Sequence, residues 1–80
     1  MTMIKQKVKG NSIKILALTL GVTFEGLAEL CEVSHATVNA WSLRTFRIKR
    51  EALETLCGKE DLNINEVIDF LNDGGFEVYE

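Results

Sequence analysis

The side chains with chemical capacity gather in one short run, Ser34-His35-Ala36-Thr37-Val38-Asn39-Ala40-Trp41, and in the basic tract after it, Arg44, Arg47 and Lys49. The Asn39 amide sets a donor beside an acceptor, which suits the exposed edge of adenine. Ala36 and Ala40 are small, permit close approach, and could touch a thymine methyl. His35 can donate to guanine or to a phosphate oxygen. The Ser34 and Thr37 hydroxyls suit phosphate oxygens, as does the N-terminus of a helix beginning there. Arg44, Arg47 and Lys49 are cations that could clamp a phosphate backbone. Plainer readings stay open beside these. Asn39 also fits a solvent-facing position, and His35 also fits a cap or an exposed surface residue.

Other chemistry finds little support. The chain has one histidine, and Cys31 and His35 straddle a turn rather than share a helix face. Cys31, His35 and Cys57 lack the spacing of metal ligands. No glycine-rich phosphate loop follows a strand. The expectation is therefore no enzyme, no catalytic residue, no bound metal and no cofactor.

These residues need elements to hold them. Residues 23–43 read as two short helices joined by a tight turn, the helix-turn-helix pattern. Leu27, Ala28, Leu30 and Cys31 place an apolar face on the first helix at helical spacing. Val38 and Trp41 form a buried stripe on the second, spanning 34–42, and send Ala36, Asn39 and Ala40 outward with His35 and Thr37 on the flanks. Val33 can plug the corner, and Ser34 is a good N-cap. Thr23 caps the first of the two helices. Gly26 costs that helix about 1 kcal/mol against alanine, and either permits a close backbone approach or is incidental.

Three more helices are expected. Before the pair, Ile13, Leu16, Ala17 and Leu20 share one face, and Gly21 is a candidate left-handed cap. Ile15 and Leu18 lie on the other side of that helix, so a terminal segment or another subunit should cover them. After the pair, 43–49 is a basic connector with Phe46 and Ile48 as anchors into the core. Residues 50–57 form a helix with Leu53, Leu56 and Cys57 inward, stopped by Gly58. Asn63 and Glu66 make a capping box for the last helix, with Ile64, Val67, Ile68 and Leu71 on one stripe. Asn72-Asp73-Gly74-Gly75 is a strong turn signal. At the termini, 1–9 alternates apolar residues with Lys5, Lys7 and Lys9, which fits a short strand or a frayed arm equally. Residues 76–80 could be a second strand, and the two could pair over Ile15 and Leu18.

The chain of 80 residues reads as one domain, 1–80, with a core over 11–72. No stretch reaches the roughly 20 apolar residues of a membrane span, and no secretion signal is legible. Cys31 and Cys57 sit at apolar positions and read as buried free thiols, which points to a reducing cytoplasm. The net charge of −3 argues weakly against a nucleic-acid partner, but its distribution does not. Residues 1–24 carry four lysines and no acid, and 44–50 carry four cations and no acid, whereas 51–80 carry nine acids and Lys59 alone. A basic end and an acidic end fit a small DNA binder with its acids turned away, or simply an uneven solvated surface.

With five helices placed, the chain resembles the XRE or Cro/CI family of helix-turn-helix DNA-binding domains of bacterial and phage regulators. The likeness covers about residues 8–71. It rests on Val8-Lys9-Gly10-Asn11-Ser12-Ile13-Lys14, Leu27-Ala28-Glu29-Leu30, Val33-Ser34, Val38-Asn39-Ala40-Trp41, Leu53 to Leu56 and Ile64 to Leu71. The spacing of Ala28, Val33, Val38 and Trp41 is its specific part. The resemblance implies a mainly α, five-helix lambda-repressor-like fold whose third helix enters the major groove. It also implies a cytoplasmic repressor that binds operator DNA as a symmetric homodimer, on half-sites about one helical turn apart. Two positions depart from the family. Phe24 stands where glutamine is usual, and Glu32 replaces the turn glycine, so a glutamate is expected to hold a left-handed backbone conformation. Those departures and the acidic last third keep a rival open: a protein-binding module on the same scaffold that acts on another regulator.

Overall fold

A computed structural model describes residues 12–79. The described chain is mainly helical with one small sheet. In order it comprises α1 (Ser12–Leu20), α2 (Phe24–Cys31), α3 (His35–Ser42), β1 (Ile48–Lys49), α4 (Arg50–Glu60), α5 (Ile64–Asp73) and β2 (Val78–Tyr79). The N-terminal strand expected over 1–9 lies outside the described residues.

Helical periodicity translates directly into burial. Leu27, Val38, Leu56 and Leu71 are wholly enclosed, and Ile13, Trp41, Ile48 and Leu53 nearly so. α2 packs chiefly on α3 and α4, and α1 packs on α2, α3 and α5, so all five described helices contribute to the core. Gly26 faces Val22, where an added Cβ would come within 3.0 Å of the valine Cβ. The close neighbour is thus a side chain four residues earlier, not the backbone approach that the sequence suggested.

All five described helices end in one motif, and three of them place a non-glycine residue at its left-handed position. A left-handed residue follows each helix, and the residue after it donates its N–H back five positions. Gly21 serves α1, with Val22 N to Ala17 O at 2.9 Å. Glu32 (φ 60) serves α2, with Val33 N to Ala28 O at 3.0 Å. Arg44 (φ 63) serves α3, with Thr45 N to Ala40 O at 3.0 Å. Asp61 (φ 56) serves α4, with Leu62 N to Cys57 O at 3.0 Å, and Gly75 serves α5, with Phe76 N to Leu71 O at 2.9 Å. The glutamate at the α2–α3 turn thus adopts the expected left-handed conformation. Arg44 and Asp61 do the same without any sequence signal. A left-handed backbone costs a residue with a Cβ roughly 1–2 kcal/mol, so packing beyond the helix ends must hold these turns.

Two expectations change. Gly58 does not stop α4, which runs through it to Glu60. The half-buried Leu62 packs on the core and brings the chain back one turn later. Phe46 is not an anchor: it is 58% exposed, and Ile48, at 1%, fills that role alone. The expected C-terminal strand is present and pairs in parallel with β1, Ile48 opposite Val78 and Lys49 opposite Tyr79, while its expected pairing with residues 1–9 falls outside the described residues.

Candidate nucleic-acid interface

α3 owes its place to its two ends and its inner face. Ser34 Oγ accepts the Thr37 N–H at 3.1 Å and lies 2.9 Å from Thr37 Oγ1, which fixes the first turn. Val38 and Trp41 bury the inner side. Ser34, His35, Ala36 and Asn39 are then exposed, and Thr37 and Ala40 half-buried. Ala36, Asn39 and Ala40 form one outward row, with exposed Leu43 continuing it at helical spacing. Among the described residues, neither the Asn39 amide nor the His35 imidazole has a side-chain hydrogen bond. Both remain available to an external partner.

A separate groove of ≈ 370 Å³ brings Thr37 and Trp41 of α3 together with Arg47, Lys49, Glu51 and Thr55, and no residue of the outward row lines it. Trp41 Nε1 is buried and lacks a hydrogen-bond partner among the described residues. The groove unites three of the residues expected from sequence, Thr37, Arg47 and Lys49.

The cations are arranged differently from the sequence expectation. Arg44 points at the C-terminal segment rather than outward. Its Nη1 donates to Gly75 O at 2.6 Å, its Nη2 to Gly74 O at 2.8 Å, and its guanidinium lies 4.0 Å from the Phe76 ring centre. Arg47 pairs with Glu77 at 3.4 Å and lies 6.0 Å from the Tyr79 ring centre. Lys49 is exposed on β1 with no ion pair among the described residues. Two further ion pairs went unread in the sequence, one local to a helix and one between distant segments. Arg50 pairs with Glu54 at 3.2 Å along α4, and Lys59 Nζ reaches Glu32 at 3.1 Å.

Lys59 matters to this face. It neutralises the glutamate that sits at the α2–α3 turn and also donates to Glu29 O at 3.2 Å. The acid at the turn is therefore compensated from α4.

Both cysteines are free and buried. Burial, reinforced by Cys57 and opposed by Lys59, pushes the Cys31 thiol up to about 11, and burial also raises Cys57. A thiol held protonated is a poor nucleophile and a poor metal ligand. Among the described residues, no group of three or more His, Cys, Asp or Glu could hold a metal ion. No helix among them is long and apolar enough to cross a membrane.

No protein-family model, curated protein or solved structure matches the chain.

Proposed function

We propose that the chain is a sequence-specific, double-stranded DNA-binding regulator of the XRE or Cro/CI type, and a repressor. In this reading α2 and α3 form a helix-turn-helix and α3 lies in the major groove. One observation carries it: α3 is locked at both ends and buried on one side, yet shows a row of small and amide side chains outward, with no side-chain partner for Asn39 among the described residues. A helix of about 10–12 Å diameter fits the major groove, and small side chains at 36 and 40 allow the backbone to approach the base edges. Asn39 reads adenine, Ala36 and Ala40 meet methyl groups, and His35 donates to a base or a phosphate. Ser34 and Thr37 face phosphate at the helix start, while Arg47 and Lys49 contact the backbone beside the groove. Arg44 positions the connector instead of reaching DNA itself. A homodimer places two such helices on a two-fold related operator.

Selection of bound duplexes from a random pool, followed by gel shifts at two salt concentrations, tests the reading. A recovered consensus with two-fold symmetry is expected. Affinity should fall about 100- to 1,000-fold between roughly 50 and 200 mM salt if four to six phosphates are neutralised per dimer. Failure to enrich any sequence at low salt would sink the proposal.

The rival reading, a module that binds another regulator, draws on a different observation. Most cations around α3 are already matched by the chain's own acids or carbonyls. A stable complex with a second regulator, combined with no DNA binding at low salt, is the outcome it requires.

A further inference from the structure

We propose that the C-terminal segment from Gly74 to Tyr79 is an autoinhibitory strap, with Glu77 occupying Arg47 in place of a DNA phosphate. This rests on the DNA-binding reading and concerns how that surface is regulated. The strap is built into the fold. Gly75 turns the chain at φ 87, Phe76 is buried at 5% exposure, and the Ile48 N–H donates to Glu77 O at 3.3 Å. The parallel register then decides which side chains meet. Ile48 and Val78 take the inner face of the two-stranded sheet, so Arg47 and Lys49 share the outer face with Glu77 and Tyr79.

Arg47 consequently meets a carboxylate and an aromatic ring on its own sheet, beside the groove that Thr37 borders. A carboxylate and a phosphate compete for a guanidinium through the same hydrogen-bond geometry. The pair is open to water, with side chains 69% and 75% exposed, so it is weak enough for a phosphate to displace. Arg44 differs: its carbonyl partners and its ring contact tie the strap down, and it stays in place when DNA arrives. The strap thus has a fixed root at Arg44 and Phe76, and a yielding tip at Glu77. Any event that removes the Glu77 charge or lifts the tip frees Arg47 for phosphate.

The test compares Glu77→Gln, Asp69→Asn and Arg47→Ala, with Glu77→Gln also made in the Arg47→Ala background. Binding is measured on the duplex recovered by selection, with circular dichroism melts checking the fold. Glu77→Gln and Asp69→Asn change net charge equally, but Asp69 is on α5, away from Arg47 in sequence and outside its groove. Glu77→Gln is expected to bind about two- to fivefold more tightly at low salt, with Asp69→Asn well short of that and no gain in the Arg47→Ala background. An equal gain from Asp69→Asn, or a gain that persists without Arg47, would overturn the strap. Wild-type binding that Glu77→Gln leaves unchanged would overturn it while sparing the DNA reading. Absence of DNA binding by every variant would remove both.

Discussion

The Lys59 ammonium lies 3.1 Å from the Glu32 carboxylate and 3.2 Å from the Glu29 carbonyl, joining α4 to the turn before α3. One lysine thus both neutralises an acid at the candidate interface and steadies a helix end held by a left-handed glutamate. The pair is substantially exposed, so its own contribution is at most about 1 kcal/mol.

Glu32→Gly sets the backbone against the ion pair. Glycine relieves left-handed strain of roughly 1–2 kcal/mol and forfeits the smaller ion-pair contribution. The expected outcome is unchanged or raised stability, by up to about 1 kcal/mol, measured by urea unfolding. A clear loss would show that Lys59 holds this turn more strongly than exposure suggests.

Arg44→Ala removes two hydrogen bonds from a charged donor and a ring contact, while retaining the strained backbone. Unfolding stability should drop by about 1–3 kcal/mol. Arg44→Gly should lose less, because glycine accepts φ 63 without strain. Equal losses for the two variants would mean that the turn is not strained at this position.

Asn39→Ala should leave the melting temperature unchanged, since its amide has no intramolecular partner among the described residues. DNA affinity should fall by about 1–3 kcal/mol, with discrimination lost at one base position. Equal weakening on every duplex would refute a reading role.

Lys49→Ala and Arg47→Ala should behave differently from Asn39→Ala. Each is expected to weaken all sequences alike and to lower the salt slope by about one. Titrations at several salt concentrations distinguish this from loss of base readout.

Cys31 supplies a pH signature. Its thiol is raised from 9.0 to about 11 in the folded protein, so the unfolded chain releases that proton first. The stability it contributes is fully present below pH 9 and is lost as pH rises towards 11, a loss of about 2 kcal/mol by then. Cys57 shifts in the same direction. Denaturant unfolding of wild type and Cys31→Ala should therefore converge with rising pH, and parallel curves would contradict the assignment.

Much of the fold was legible because helical periodicity is local. Leu27, Val38, Trp41, Leu53 and Leu71 recur at spacings that bury one side of a helix, and each is buried. The caps at Thr23, Ser34 and Asn63 were equally readable, because a capping oxygen acts within two or three residues of its own position. The outward row Ala36, Asn39 and Ala40 followed from the same wheel. Phe46 misled because an aromatic in a connector carries no period to say which way it faces.

Composition and spacing by themselves determined a mainly helical chain, the bounds of the α2–α3 pair and the residues that α3 turns outward. Tertiary structure alone decided how the charges are used. Arg44 meets Gly75 across 31 positions, Lys59 meets Glu29 across 30, and Glu77 reaches Arg47 only through a parallel strand register. Helix periodicity is set by neighbours three and four residues away, whereas an ion pair between distant segments exists only once packing has brought them together. The sequence alone therefore marked a basic tract after α3, and folding engaged Arg44 and Arg47 while leaving Lys49 without an ion pair among the described residues.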